Sequence, residues 1–289
     1  MNDKKSFGGN IMKKIFRSLG LALVVLVLAA CGQSEETTKV KLGVVGDKND
    51  QWEYLQEELL EKENIEIELV KFTDYRQPIV SLDDGSIDMH SALTEIYMDS
   101  INEEGGYSNT TLGYTTLNPM GVFSEKIDSL DELADGALVA IPDDVSNGSR
   151  ALLLLQTAGL IELDESKGLL PTTSDITSNP KNLQFEEMAA NQTARALADV
   201  DISLINNDMA TDAGYVPTQD SIYLEPVAES SKPYYNVIAV REDETDNEVY
   251  KTILEYYQTD EVAAIIDEMS AGSSIPVWDG APQPSGSTN

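Results

Sequence analysis

The chain has 289 residues, with 19 Lys and Arg against 51 Asp and Glu, one His and one Cys. So large an acidic excess excludes a nucleic-acid binder, because phosphate backbones are gripped by Lys and Arg, and a 41% hydrophobic content falling in periodic runs excludes a disordered chain. One Cys excludes an internal disulfide framework and Cys-based zinc sites, and one His excludes zinc sites built on two.

The N-terminus reads as an address. Met12-Lys13-Lys14-Ile15-Phe16-Arg17 is basic, Leu19 to Ala30 is apolar, and Leu28-Ala29-Ala30-Cys31-Gly32 follows. The apolar run is shorter than the roughly 20 residues a bilayer span needs, and small residues at its end mark a signal peptide. The Leu28–Cys31 quartet resembles a bacterial lipobox, which implies that Cys31 is lipidated and becomes the new N-terminus. The alternative is an ordinary secretory signal with an incidental Cys. Two or more acyl chains make a stable anchor at about 0.8 kcal/mol per buried methylene. Residues 1–31 carry Lys4, Lys5, Lys13, Lys14 and Arg17 against Asp3, so the exported part keeps 14 basic and 50 acidic residues, a formal charge of −36. Gly8-Gly9-Asn10-Ile11 fits no signal pattern and reads as translated ribosome-binding sequence, with translation starting at Met12. Residues 32–38 are polar and read as a tether.

Beyond the tether, Lys39 to Val45 alternates like an opening strand. Asn49 and Asp50 start a helix over 51–63, with Trp52, Leu55, Leu59 and Leu60 on one face, and Trp52 is expected in the core, the alternative being that it refills the ligand pocket. Ile65 to Phe72 is a second strand, 76–84 a second helix, and Ile87 to Met89 a short strand leading into a loop at His90. Residues 105–111 read as loop, 117–123 as a strand interrupted by Pro119, and 129–133 as a short helix. Ala137 to Ile141 is a strand, 142–148 a loop, and 150–159 an apolar helix with a Gly stop. A turn-rich stretch at 173–180 precedes a strand at 184–188, a short helix at 192–198 and a buried strand at 202–205. Asn236 to Arg241 is another strand, and 246–269 is one amphipathic helix. Residues 280–289 read as a disordered tail. The βαβ opening argues for parallel sheets with helical crossovers.

Several segments then add up. Phe72-Thr73-Asp74-Tyr75 with Gln77-Pro78, the Asn118 to Ser124 stretch (Asn-Pro-Met-Gly-Val-Phe-Ser), Ser129 to Leu133, and Ile141-Pro142 through Asp144, Ser146-Asn147-Gly148 and Arg150 to Gln156 stand in order. Asn179 to Leu183 and Ile205-Asn206 follow. Over about 40–278 they resemble the MetQ/NlpA family, the lipoprotein substrate-binding components of methionine ABC transporters. The resemblance implies an α/β protein with a type II periplasmic-binding-protein fold, two α/β lobes joined by a two-crossing hinge. Lobe 1 would be 39–120 and 229–279, and lobe 2 would be 121–228. It implies an amino-acid-like ligand, no cofactor, no metal and no enzymatic activity. It also implies a monomer on the extracytoplasmic face of the cell membrane that delivers its ligand to a cognate permease and ATPase. The alternative is a surface lipoprotein with an adhesive or host-interaction role on the same fold.

The expected ligand-binding residues are Arg150, Tyr75, His90, Thr94, Asn206, Asp208, Ser146 and Asn147. Arg150 would clamp a carboxylate with its planar fork, the rival being an internal ion pair. Ser146, Asn147 and Gly148 would offer free N–H groups at a helix N-terminus, where anions are favoured. Tyr75 and Asn206 sit just past strands, where parallel-sheet clefts form. The resemblance places Tyr75 in the pocket and has Asn binding the amino-acid moiety where this chain has Asp208. Asp208 would pair with a ligand ammonium or else cap the next helix. The family pattern Asp-Ala-Asn-Phe-Phe-Gln-His-x-Pro-Tyr becomes Asp88-Met89-His90-Ser91-Ala92-Leu93-Thr94-Glu95-Ile96-Tyr97. The loss of two Phe and the His opens space for a bulkier or more polar ligand than methionine, a related amino acid or a short peptide, with His90 as a polar pocket contact.

Overall fold

A computed structural model describes residues 37–282. The expected start at Met12, signal peptide and lipidated Cys31, and most of the tether and tail, lie outside the described residues. In β1 (Thr38–Val45), Val40, Leu42 and Val44 are buried. Helix α1 (Asp50–Glu63) buries Trp52, Leu55 and Leu59 along one stripe. It ends at Asn64, whose φ of 55° lets its N–H reach the Leu59 carbonyl. Strand β2 (Ile65–Phe72) runs parallel to β1 along its whole length. After α2 (Arg76–Asp83), β3 (Met89–Thr94) pairs parallel on the other side of β1, and α3 (Glu95–Gly105) leads to β4 (Asn109–Leu117).

The chain then changes sheet. Strand β5 (Gly121–Phe123), β6 (Leu138–Pro142) and α4 (Val145–Thr157) come first. A two-stranded excursion, β7 (Glu162–Leu163) and β8 (Ile176–Ser178), precedes β9 (Gln184–Met188) and α5 (Ala190–Thr193). Next are β10 (Ile202–Ile205), α6 (Asn207–Asp212), α7 (Pro217–Asp220) and β11 (Tyr223–Leu224). Strand β12 (Tyr235–Arg241) returns to the first sheet, followed by α8 (Glu248–Tyr257), α9 (Asp260–Ser270) and β13 (Ile275–Pro276).

The first sheet has the order β13-β4-β12-β3-β1-β2 and the second β11-β5-β10-β6-β9. The connections at 118–120 and 225–234 each pass from one sheet to the other, which is the two-lobed, two-crossing layout. One core lies between the first sheet and α1, α8 and α9, and another packs the second sheet against α4. A third joins the lobes, bringing Val45, Tyr75 and Ile79 to Phe123, Ile205 and Met209.

Four expectations need correction. Residues 109–117 are a full strand, since the run Thr110, Thr111, Leu112, Tyr114, Thr115 and Thr116 suits a pleated surface, and Pro119 marks the crossing between sheets. The strand expected at 87–89 runs over 89–94 instead, so His90 lies inside it. Helix α4 starts at Val145, because Asp144 caps it by accepting the Asn147 N–H. The single C-terminal helix is two, divided where the Thr259 side chain accepts the Val262 N–H and starts α9.

A bulge in the first sheet shapes the cleft. Leu93 faces Val237 and Ser91 faces Ile238, leaving Ala92 as the extra residue. Its φ of 87° is the left-handed region that favours glycine.

Candidate functional site

The crossings and the carboxyl ends of β3 and β10 meet in a cleft between the lobes, the position expected for ligands in parallel sheets. One pocket there is walled by Tyr75, Leu93, Thr94 and Tyr97 from the first lobe, and by Asn147, Arg150, Asn206 and Asp208 from the second. Asn118 of the first crossing, with Ala92, Asn207 and Asn236, completes it.

Arg150 lies in the second turn of α4 and is 3% exposed. Its Nε donates to both carboxylate oxygens of Glu225 at 3.0 and 3.1 Å, and its Nη2 to Glu225 Oε2 at 2.5 Å and the Asn118 carbonyl at 2.9 Å. The Tyr234 ring centroid is 4.5 Å from the guanidinium carbon, close enough for cation–π attraction. The internal ion pair is therefore real, and it coexists with a place on the pocket wall, since Nη1 has no hydrogen-bond partner among the described residues. Burial of a cation in an apolar helix requires such an anion. Nothing in the sequence around Glu225 marks it as that partner, although an Arg next to a run of Leu demands one.

The acceptors are arranged around it. Asn118 Nδ2 donates to Asp208 Oδ1 at 3.1 Å, which leaves Asn118 Oδ1 buried without a partner. Asn206 Nδ2 donates to Asn147 Oδ1 at 2.7 Å, and Asn147 Nδ2 to the Asp144 carboxylate at 3.0 and 3.1 Å, so Asn206 Oδ1 is likewise orphaned. Orphaned buried acceptors are costly unless something donates to them. Asp208 belongs to the first turn of α6 and does not cap it. Desolvation in the cleft pushes its pKa up to about 6, with the Asp212 charge adding to this and Arg150 and the Asn118 hydrogen bond opposing it.

Tyr75 stands at the start of α2 with its ring 6.2 Å from that of Tyr97, edge-on. The Thr94 hydroxyl accepts the Tyr97 N–H at 3.3 Å, capping α3 from the pocket wall. Two residues fall elsewhere. His90 is fully buried, with Nδ1 3.0 Å from the Gly43 carbonyl, and lies on neither wall of the cleft. Burial pushes its pKa down to about 4, so it is a neutral residue of the sheet interior. Strand alternation, offset by the Ala92 bulge, directs it away. Ser146, in the first turn of α4, is buried and lines neither wall of the cleft. The N–H groups expected free there are partly taken, that of Asn147 by the Asp144 carboxylate at 2.8 Å and that of Gly148 by the Asp144 carbonyl at 2.8 Å. Asp144 thus fills the role assigned to an outside anion. Gly148 permits the close approach, because a Cβ there would lie 2.7 Å from the Pro142 carbonyl oxygen.

Residues 40–278 match the family model described as NlpA lipoprotein. The chain belongs to the NlpA lipoprotein family. The D-methionine-binding lipoprotein MetQ of Salmonella typhimurium is 40% identical over 92% of this chain and 98% of its own. A nutrient-binding protein from Burkholderia cenocepacia bound to methionine is 39% identical, with a TM-score of 0.79 over 83% of this chain and 100% of its own. The substrate-binding protein of a methionine transporter from Streptococcus pneumoniae is 34% identical, with a TM-score of 0.78 over 83% and 96%. NlpA-family relatives are thus substrate-binding lipoproteins of transporters and not enzymes. Among the described residues of this NlpA-family chain, no cluster of His, Cys, Asp and Glu could hold a metal, and no helix is long and apolar enough to cross a membrane.

Proposed function

We propose that this lipoprotein captures a zwitterionic amino acid, methionine or a related one, between its lobes and delivers it to an ABC permease and ATPase. The ligand carboxylate meets Arg150 through Nη1, and Asn147, whose donors are taken by Asp144, holds Asn206 in place beside it. The ammonium meets three acceptors, Asn118 Oδ1, Asn206 Oδ1 and the Asp208 carboxylate, matching its three N–H donors. The side chain lies against Tyr75, Leu93, Thr94 and Tyr97. The observation that carries this reading is the pair of orphaned amide oxygens beside one buried acid and one buried guanidinium. The methionine named for the relatives in Burkholderia cenocepacia and Streptococcus pneumoniae supports the ligand class. Ala92 and Thr94, which line the pocket where the family pattern has Phe and His, favour a side chain bulkier or more polar than that of methionine.

A lipid on Cys31 holds the protein, as a monomer, at the extracytoplasmic face of the cell membrane. Residues 39–120 and 229–279 form one moving lobe and 121–228 the other. Isothermal titration against the common amino acids in both stereochemistries tests the ligand. Saturable binding of at least one amino acid is expected, with Arg150→Ala losing more than a hundredfold in affinity, because removing one partner of a buried charge pair costs about 3–5 kcal/mol. Unchanged affinity in that variant would remove the clamp, and L-methionine binding tighter than every other candidate would end the case for a bulkier ligand.

A further inference from the structure

Arg150 stands where both crossings converge. On its own lobe it meets Glu225, the residue that follows β11. Glu225 is held from behind. Its N–H donates to the Met120 carbonyl at 2.9 Å, and its Oε2 accepts the Met120 N–H at 3.0 Å. These bonds continue the β5–β11 pairing, in which Leu224 faces Gly121, so the carboxylate is fixed to the second sheet. The other contacts of the guanidinium come from the first-lobe ends of the crossings. The carbonyl is that of Asn118, one residue past β4. The ring is that of Tyr234, one residue before β12. Arg150 and Glu225 therefore belong to one lobe, and Asn118 and Tyr234 to the points where the other is attached.

A guanidinium has five N–H donors. The one on Nε goes to the Glu225 carboxylate, and the two on Nη2 go to Glu225 Oε2 and the Asn118 carbonyl. Among the described residues only the pair on Nη1 is left. Glu225 thus occupies the Nε/Nη2 edge of the fork, and Nη2 has no hydrogen to spare. A carboxylate entering the pocket reaches Nη1 alone and arrives beside a carboxylate already in place. Like charges so close repel strongly where water is excluded, and Asp208 adds a second acid on the pocket wall. Glu225 itself lines neither cavity of the cleft, so it acts on a ligand only through Arg150. Two readings then predict opposite signs. If Glu225 only stabilises the fold, removing its charge weakens both the protein and its grip on ligand. If it competes for the guanidinium, the protein weakens while the grip tightens.

We infer that Glu225 is a positioning residue that sets ligand affinity, a resident counter-ion that shares the Arg150 guanidinium with the ligand carboxylate and holds binding below what the bare cation would reach. A carrier has to surrender its cargo. With Glu225 riding on the same lobe, Arg150 keeps an anion however the first lobe moves, so the ligand carboxylate leaves without stranding a buried charge. This rests on the amino-acid reading above and adds to it how the affinity of that site is regulated.

Calorimetry of the folded exported protein with L-methionine, the other common amino acids and their amides tests it. Glu225→Gln keeps the side-chain length and an acceptor oxygen and removes the charge. It is expected to bind L-methionine, or whichever amino acid the wild type binds tightest, at least about fivefold tighter than the wild type does, while its ligand-free urea midpoint falls. Glu225→Asp, which keeps the charge, should show no such gain. The amide of the same amino acid, which has no carboxylate to share Arg150, should gain less than about twofold in Glu225→Gln. Glu225→Met, of similar length, serves if the first variant does not fold. A gain below fivefold or a loss in the uncharged variant, an equal gain in Glu225→Asp, or an equal gain for the amide would overturn the counter-ion role and leave the amino-acid reading standing. Failure of every amino acid to bind the wild type would overturn both.

Discussion

At the scale of single residues the cleft is governed by two buried charges held in different ways. Arg150 is neutralised inside the protein, so its carboxylate partner is structural before any ligand arrives. Glu225→Ala would leave the buried guanidinium without its anion, with only the Asn118 carbonyl and the Tyr234 ring beside it, and would also release the Met120 N–H, which donates to Glu225 at 3.0 Å. The expected loss is about 3–5 kcal/mol, read as a drop in urea midpoint with an unchanged slope; a loss below about 1 kcal/mol would mean that solvent already screens the pair. Asp208 is the opposite case, an acid with a hydrogen bond from Asn118 but no cationic partner in contact among the described residues. Its raised pKa means that the folded protein holds a proton, between about 6 and the ordinary carboxylate value, that the unfolded chain has released. The ligand-free protein therefore loses stability as pH rises across that window. A ligand ammonium needs the ionised form, so affinity should run the other way, weakening by up to about tenfold per unit as pH falls below about 6. Asp208→Asn should flatten that profile between pH 5 and 7 while lowering affinity at pH 7.5. A profile equally steep in the variant would assign the titration to another group.

At the scale of elements, the bulge in β3 sets the shape of the cleft. Ala92 occupies a backbone conformation that costs an L-residue about 1–3 kcal/mol, while glycine in a strand usually costs about 0.5–1 kcal/mol. Ala92→Gly should therefore be neutral or stabilising, whereas Ala239→Gly, in the buried neighbouring strand, should lower the urea midpoint. Equal losses at both positions would show that the bulge carries no strain.

The same bulge explains where sequence reasoning stopped. Helix α1 was legible because Trp52, Leu55 and Leu59 repeat at helical spacing, and the C-terminal capping signal at Asn64 stands in plain view. Strands β1 and β2 were legible from their alternation. His90 was not, because one inserted residue downstream changes which side chains face the cleft, and no local pattern marks an insertion whose partner, β12, lies more than a hundred residues away. The charge on Arg150 was visible, but Glu225 lies 75 residues further on, at the start of the second crossing, a connection with no periodicity. Asn118 and Asp208 could each be found near the end of a strand. Their hydrogen bond, and hence the orientation that leaves Asn118 Oδ1 facing the pocket, exists only once the two lobes are brought together. The split between α8 and α9 did have a signal, Thr259 followed by Asp260 and Glu261, which an unbroken hydrophobic stripe hid.

At the scale of the whole molecule the question is which way its acidity acts. Among the described residues most ion pairs are exposed, such as Lys39–Glu66, Arg76–Glu104 and Lys251–Asp246, and each such pair contributes about 0–1 kcal/mol at most. Against them stands the mutual repulsion of a chain with 19 basic and 51 acidic residues. Repulsion between charges many ångströms apart is screened more readily than attraction within a contact pair, since the Debye length falls from about 30 Å at 0.01 M salt to about 8 Å at 0.15 M. Net repulsion destabilises the compact state more than the extended one, so added salt should relieve more than it removes. Raising NaCl from 10 to 200 mM should therefore lift the melting temperature by a few degrees, on the scale where about 1 kcal/mol corresponds to roughly 2–4 °C for a chain of this order. The increment should come mostly below 100 mM, where screening changes fastest, and it should be the same with and without bound amino acid, because a zwitterion adds no net charge. A melting temperature that stays flat or falls would mean that the surface pairs outweigh the repulsion and that the acids are spaced widely enough to be individually solvated.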